Sequence, residues 1–213
     1  MINNHPTSWK LTGEGYMMFF KFPKEYLLEN GYLTKADEDS FIGGASCIII
    51  ANYQTSPVGP YCELLFLPGK VKYQGKKMYT VSKAYVSSEA SCECGINHWG
   101  IPKEMASFNI IKKDNDLEYI KVTHNHELIL DIAIKASGVA FPLNSLFLPN
   151  QIRQEHDEHT YLTKIKGKGW GKMAQNLKVD VNPKLFPHFA FYKHLSIIHV
   201  SNFNLKLPVA KVK

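Results

Sequence analysis

Arginine is almost absent from this chain: Arg153 is the only one, so nearly all of the positive charge behind the formal net charge of +6 at pH 7 is carried by lysine. Proteins that read base edges or clamp phosphates depend on the planar fork of arginine, which lysine does not reproduce. Apart from the short segment 164–172, the sequence has no basic cluster interleaved with aromatic residues. We therefore expect a solvated basic surface and no nucleic-acid partner.

Cysteine and long apolar runs are scarce as well. The four cysteines include no C-x-x-C pair, which argues against a zinc ribbon or a redox dithiol and favours reduced thiols. The longest apolar runs, such as 46–51, are too short to span a bilayer, and residues 1–10 show no charged segment followed by an apolar one. These absences predict a cytoplasmic protein with no membrane partner, and the length favours a single domain over residues 1–213.

Common nucleotide-binding and nucleophile motifs are also missing. The sequence contains no G-x-S-x-G elbow, no P-loop and no G-x-G-x-x-G after a predicted strand. The glycines of 167–172 lack the strand–turn–helix setting that binds phosphate, and we interpret this segment as a surface loop. No cofactor is expected.

Alternation of apolar and polar residues dominates what is present. Short segments rich in β-branched and aromatic residues predict strands at 15–22, 41–53, 61–69, 77–87, 105–113, 117–124, 127–136, 148–154, 159–167 and 194–212. Turn residues at 112–116 and 124–126 make 105–136 a three-stranded meander. Helices are predicted only at 23–31, 87–95 and 169–177. This pattern predicts a mainly β protein, an antiparallel barrel or sandwich with a few peripheral helices.

The histidines offer one possible metal motif. On an extended strand His124 and His126 would share a face, as in the H-x-H motif of cupin-type barrels, with Asp131 and Gly138 near the places of the next motif residues. A hairpin turn explains the same residues more simply, and the segment 156–159 fits a polar loop. We therefore expect no metal site, with a cupin-like metalloprotein as an alternative.

Lys103 is the residue whose setting suggests chemistry. Pro102 fixes the backbone before it, and Trp99, Ile101 and Met105 surround it with apolar bulk. Apolar surroundings disfavour the charged form of an amine. A neutral amine is what forms a Schiff base with a ketone. The segment therefore predicts a nucleophilic lysine.

Three segments resemble the acetoacetate decarboxylase family. Residues 95–106, G-I-N-H-W-G-I-P-K-E-M-A, are similar to the family signature G-R-x-x-x-G-x-P-K-K-x-A; residues 56–69 resemble its Y-x-E segment, and 203–212 its closing strand. The resemblance implies a closed antiparallel β-barrel with a central cavity, assembled into homo-oligomers around a small-molecule ligand. It also implies that Lys103 forms the imine, and that Glu63 is the acidic residue that serves as acid/base or orients the lysine.

The resemblance assigns further residues and marks one departure. Tyr61 and Trp99 are expected as walls of the substrate pocket, with Met105 beside them; Ile48 falls where the family has a second acidic residue. Glu104 replaces the second lysine of P-K-K. In an extended segment its carboxylate would point away from the cavity; if it turned inward, it would stabilise the ammonium form of the lysine.

Two functions follow from these residues. The first is a lysine-dependent lyase or aldolase, acting through a Schiff base on a small keto acid other than acetoacetate. The second is a non-catalytic barrel of the same fold that binds an apolar or isoprenoid-like molecule, similar to the plant proteins needed for neoxanthin formation.

Overall fold

The computed structural model describes residues 7–145 and 149–213. These residues form three helices, α1 (Lys24–Asn30), α2 (Lys35–Ser40) and α3 (Glu89–Trp99). They also form sixteen strands: β1 (Trp9–Phe20), β2 (Phe41–Gly43), β3 (Ser46–Thr55), β4 (Tyr61–Leu67), β5 (Lys70–Tyr73), β6 (Lys76–Tyr79), β7 (Lys83–Val86), β8 (Lys103–Met105), β9 (Ser107–Lys113), β10 (Leu117–His124), β11 (Glu127–Asn144), β12 (Gln151–His156), β13 (His159–Lys164), β14 (Lys166–Val181), β15 (His194–Leu207) and β16 (Lys211–Val212).

Ten of these strands form one sheet in the order β8-β7-β4-β3-β1-β15-β14-β11-β10-β9. Its first and last strands, β8 and β9, are separated in the chain by Ala106 alone. The sheet curls on itself until it is nearly closed, and its neighbours are antiparallel except for β7 and β8. The predicted mainly β, barrel-like fold with a few outer helices is confirmed.

Side-chain alternation along the strands gives this sheet two buried faces. On β3, Ile48 and Ile50 belong to a core that also takes residues from β10, β11 and β14, so it fills the concave side of the curled sheet. Cys47, Ala51 and Tyr53 point the other way, into a second core shared with α3 and β12. The second core lies between the large sheet and a six-stranded sheet of order β16-β13-β12-β6-β5-β2.

Most predicted elements are present. The meander 105–136 folds as β9, β10 and β11, with turns at 114–116 and 125–126. The first helix is found as α1, and the second extends past its predicted end to Trp99. The predicted strand 148–154 begins at a residue outside the described ones, and the rest of it overlaps β12. None of the helices in the described ranges is long and apolar enough to cross a membrane.

Two predictions for one segment were wrong. Segment 169–177, expected as a helix, and the loop expected at 167–172 both lie inside strand β14. The strand pairs along its length with β11 on one side and β15 on the other. Three glycines at 167, 169 and 171 disfavour a helix here. Hydrogen-bonded pairing with the two long neighbouring strands determines the local structure instead. The short helix α2 had not been predicted.

Candidate functional site

Helix α3 and the turn after it set the position of Lys103. The Ser88 side chain caps the start of the helix by accepting a hydrogen bond from the backbone N–H of Ser91. Gly100 ends the helix in the left-handed conformation, at φ 64°. The chain then passes Pro102 and enters β8, where Lys103 is the first residue. β8 runs parallel to β7, and Lys103 lies opposite Ala84.

The Lys103 amine is buried and contacts three neighbouring side chains. Its Nζ lies 2.7 Å from Oε1 of Glu63, and both side chains are only 5% exposed. Nζ also donates a hydrogen bond to Oγ of Ser91, at 3.1 Å, and lies 5.6 Å from the centre of the Tyr61 ring. The amine therefore has one carboxylate, one hydroxyl and one aromatic face around it.

Glu63 is held by a second partner. The Tyr53 hydroxyl donates to its Oε2 at 2.8 Å, so each carboxylate oxygen has one partner. Burial, together with the nearby charge of Glu63, raises the pKa of Tyr53 well above its usual value, and the phenol remains a donor. Tyr53 and Tyr61 are opposite each other in the β3–β4 ladder and their rings are 4.6 Å apart. The carboxylate is therefore fixed in orientation.

Gly95 on α3 makes room for the lysine. A Cβ at this position would lie 2.4 Å from Cδ and 2.6 Å from Cε of Lys103, closer than such atoms can approach. The aliphatic stem of the lysine thus runs directly across the helix backbone. Ser91, Gly95 and Trp99 are spaced by four residues and form the helix stripe that faces the site.

The pair stands at the edge of a cavity of about 90 Å³. Its lining is mostly apolar, and Glu63 and Lys103 are its only charged members among the described residues. The lining consists of Leu11, Ile49, Tyr53, Tyr61, Glu63, Leu65, Leu67, Val81, Trp99, Ile101, Lys103, Pro149, Ile152, Thr163, Ile165, Leu205 and Leu207. A second apolar cavity, of about 140 Å³, shares Ile49, Tyr53 and Leu65 with it. The site can hold a compact, largely apolar group next to one amine and one carboxylate.

The structure brings four of the six predicted site residues together. Lys103, Glu63, Tyr61 and Trp99 all line the cavity. Ile48 lies on the other face of β3, in the concave core, and its neighbour Ile49 lines the cavity instead. A shift of one residue along a strand moves a side chain to the opposite face.

Met105, the sixth predicted residue, lies away from the cavity. It is 41% exposed and does not line the cavity, and its backbone carbonyl pairs with the ring of His124 at 2.7 Å. The lining residues that sequence reasoning missed include Tyr53 and Ile49, and it also missed Ser91, which holds the amine. Tyr53 could have been found, because the β3–β4 hairpin brings it opposite Tyr61.

Glu104 points away from the cavity. Its Oε1 lies 2.5 Å from Nζ of Lys83, and the Lys83 amine stands 5.1 Å from the rings of Tyr32 and Tyr85. Of the two orientations considered for Glu104, the outward one is present. The carboxylate therefore does not compete with Glu63 for Lys103.

The remaining polar candidates are engaged elsewhere. Asn125 and His126 form the hairpin turn after His124, with positive φ angles at both, so the segment is not an extended H-x-H strand. Arg153 is buried against Asp37, at 2.5 Å, and also pairs with Glu155. It does not line the cavity, where Lys103 is the only cation found within residues 7–145 and 149–213.

Comparison with known proteins gives a family. Residues 40–163, more than half of the chain, match the family model described as acetoacetate decarboxylase (ADC). This range includes Glu63, Ser91, Gly95 and Lys103. No curated protein sequence matches the chain.

Solved structures give the same fold at low sequence identity. Acetoacetate decarboxylase from Legionella pneumophila subsp. pneumophila str. Philadelphia 1 is similar over 99% of this chain and 89% of its own, with a TM-score of 0.76 and 15% identity. The enduracididine biosynthesis enzyme MppR, solved with pyruvate, matches over 98% and 91%, with a TM-score of 0.66 and 12% identity. An acetoacetate decarboxylase-like enzyme from Sphingomonas wittichii RW1 matches over 98% and 94%, with a TM-score of 0.69 and 9% identity.

Proposed function

Because this chain belongs to the acetoacetate decarboxylase family, we propose that it is a lyase of the decarboxylase or aldolase type, in which Lys103 forms a Schiff base with a small keto acid. Glu63 is the proton acceptor and donor. The observation that carries the proposal is the pairing of one amine with one carboxylate, 2.7 Å apart, at the edge of an otherwise apolar cavity.

The chemistry follows from that pair. In the ion pair the amine is an ammonium, and it becomes a nucleophile by giving one proton to Glu63. The nitrogen then attacks the keto carbon, and the carbonyl oxygen leaves as water. The resulting iminium accepts the electron pair released when the neighbouring C–C bond breaks. Forming that water consumes the proton held by Glu63, so Glu63 takes up a new proton from solvent and gives it to the product carbon. Hydrolysis of the imine then restores Lys103.

The cavity favours a short substrate with a single carboxylate. A volume of about 90 Å³ holds a few non-hydrogen atoms, roughly the space of three waters. Among the described lining residues only Lys103 is cationic, so a bound carboxylate has little charge compensation from them. A poorly solvated carboxylate is destabilised relative to neutral carbon dioxide, which favours its loss. Glu104 replaces the second signature lysine but points away from the cavity, so it does not by itself exclude acetoacetate.

Family membership also bears on the binding partners of the protein. We propose a small-molecule substrate and a cytoplasmic homo-oligomer, with no nucleic-acid or membrane partner and no cofactor. The family resemblance supports the oligomer, and the burial of the only arginine against Asp37 supports the absence of a nucleic-acid site.

The test is reductive trapping. The protein is incubated with borohydride and a panel of 2- and 3-keto acids of three to five carbons, and the adduct is mapped by peptide mass spectrometry. We expect one adduct on Lys103 and none in Lys103→Ala. Lys83→Ala is the matched control, because Lys83 also pairs with a glutamate but lies outside the cavity, and it should leave trapping unchanged. Absence of an adduct with every acid would refute the proposal.

A second function is favoured by one observation: the cavity is apolar and adjoins a second apolar cavity of about 140 Å³. In that case the protein is a non-catalytic barrel that binds an apolar or isoprenoid-like molecule, and the ion pair is structural. Native mass spectrometry of the purified protein distinguishes the two. A retained apolar ligand together with no trapped adduct would favour binding over catalysis.

A further inference from the structure

The concave side of the curled sheet ends in a group of charged side chains that the proposed reaction does not use. We call it the polar mouth; it consists of Glu14, Lys112, Asp116, Glu118, Lys172 and His199. Glu14 and His199 come from β1 and β15, and Glu118 comes from β10. The Lys103 cavity lies on the other face of the sheet, so the two groups are separate.

Three side chains of the polar mouth converge as metal ligands would. One carboxylate oxygen each from Glu14 and Glu118 and one ring nitrogen of His199 all lie within 4.8 Å of one another. Nε2 of His199 is 4.0 Å from Oε2 of Glu14. In a tetrahedral zinc site with bonds of about 2.1 Å, ligand atoms are about 3.4 Å apart, so modest side-chain movement closes the set.

His199 has the free acceptor that such a site needs. Its Nε2 is buried and has no hydrogen-bond partner within the described residues. An imidazole nitrogen without a hydrogen-bond partner can offer its lone pair to a metal ion. A buried polar atom without a partner is uncommon and calls for a ligand or an explanation.

The charges of the polar mouth leave a negative excess. Three carboxylates, Glu14, Asp116 and Glu118, face two ammonium groups, Lys112 and Lys172. Lys172 pairs with Asp116 at 3.0 Å, which leaves Lys112 alone with the two glutamates. Lys112 is half-exposed and can swing into solvent, so it acts as a replaceable cation.

The backbone is shaped to present Glu14. The β1–β15 register shifts between Gly13 and Gly15, where the single residue Glu14 lies opposite two residues of β15, Ser201 and Asn202, so Glu14 faces a bulge in β15. A Cβ at Gly13 would be 2.1 Å from the carbonyl oxygen of Asn52, which explains the glycine. Tyr16, on the same strand, lies near Glu118, and its ring centre is 4.9 Å from that of His199. Such outer contacts orient metal ligands.

We propose that Glu14, Glu118 and His199 bind one divalent first-row transition-metal ion such as Zn²⁺, with Lys112 displaced into solvent. Two carboxylates and one imidazole suit this class of ion, and a fourth coordination position stays open to water. The site is independent of the Lys103 chemistry.

The experiment is a Co²⁺ titration of the full chain, followed by the visible d–d absorption and repeated with Zn²⁺ competition. We expect one equivalent to bind wild type. Lys112→Met should tighten binding about tenfold or more, because it removes the competing cation, and His199→Asn should weaken it by about tenfold or more. Lys103→Ala should bind like wild type, so failure of the catalytic proposal leaves this test intact.

The matched control is His98→Asn, since His98 also has a buried ring nitrogen without a hydrogen-bond partner but forms no ion pair in the described part of the chain. It should not change the titration. The gain expected for Lys112→Met cannot arise from misfolding, and this variant therefore decides the case if His199→Asn folds poorly. No stoichiometric binding to wild type or Lys112→Met at micromolar metal, or equal effects of the two histidine variants, would overturn the proposal.

Discussion

Two lysine–glutamate pairs lie on opposite faces of the same three strands, β4, β7 and β8. Lys103 and Glu63 are 2.7 Å apart with both side chains 5% exposed, whereas Lys83 and Glu104 are 2.5 Å apart with 16% and 43% exposure. Lys103 and Glu104 are neighbours in sequence, and the strand sends them to different sides. The chemistry of the pairs is the same, so their difference isolates the effect of burial.

Burial changes both the contribution of each pair to stability and its ability to transfer a proton. The exposed pair keeps access to water, and such pairs contribute up to about 1 kcal/mol. The buried pair has lost its water and depends on Tyr53 and Ser91 for its remaining hydrogen bonds. Only the buried pair can pass a proton without competition from solvent. The comparison thus agrees with a structural role for Lys83–Glu104 and with the chemistry proposed for Lys103–Glu63.

The largest expected effect comes from removing one carboxylate of each pair. Glu63→Gln leaves Lys103 buried without a counter-charge, and we expect a loss of about 3–5 kcal/mol in the free energy of unfolding at pH 7. Glu104→Gln should cost at most about 1 kcal/mol. Urea denaturation measures both. The double variant Glu63→Leu/Lys103→Met should be more stable than Glu63→Gln; equal losses for the two glutamine variants would contradict the comparison.

A smaller effect is expected from the partner of the buried carboxylate. Tyr53→Phe removes the hydroxyl that donates to Glu63, and bonds to a charged acceptor are worth about 1.5–3 kcal/mol. Tyr85→Phe is the control: its hydroxyl donates at 2.9 Å to the neutral carbonyl of Leu185, so a loss of about 1 kcal/mol is expected. Thermal unfolding of the two variants compares them directly. If Tyr85→Phe lost more stability than Tyr53→Phe, the charge of Glu63 would not explain the effect of the Tyr53 hydroxyl.

Gly95→Ala separates stability from function. The new methyl group meets the stem of Lys103, at a cost of about 1–3 kcal/mol, while alanine gains about 1 kcal/mol in helix propensity. We expect a net loss near 1 kcal/mol by urea denaturation, accompanied by a clear fall in reductive trapping at Lys103. Glu93→Ala, on an exposed part of the same helix, should leave trapping unchanged. Full trapping in Gly95→Ala would mean that the lysine position tolerates displacement.

The smallest effect is expected when the family signature is restored. Glu104→Lys recreates P-K-K, but the new side chain points to the outer face beside Lys83. We expect a change within about 1 kcal/mol in stability and no gain in trapping. The measurement is the rate of borohydride adduct formation against wild type. A marked gain would show that the residue after the lysine acts on the cavity from that face.

The fold could be predicted to a large extent because alternation reports strands directly. Segment 105–136 shows this: apolar positions alternate and turn residues separate the runs, and the meander forms as predicted. Segment 169–177 shows the limit. Its side chains favour no structure strongly, and pairing with β11 and β15 decides it. Such pairing depends on residues distant in sequence, which a local pattern does not contain.

Sequence motifs predicted the part of the candidate site that consists of motif residues. Lys103 and Glu63 come from matching segments, and they lie 2.7 Å apart. Ile48 shows what a motif alone does not determine, since a shift of one residue reverses the face of a strand and Ile49 lines the cavity. Ser91 and Tyr53 were missed because their contribution depends on distances between elements. The size of the cavity is likewise a property of packing.

The near-closure of the sheet has a consequence for how a ligand reaches the amine. β8 is three residues long and outermost in the sheet, and the step to β9 is made by the chain through Ala106 and not by a ladder of paired strands. Amides at such a seam exchange with solvent through small local openings, which require far less free energy than global unfolding. Lys103 sits on that seam. If Lys103 is the nucleophile proposed above, we expect local opening of this seam to set how often a ligand reaches it.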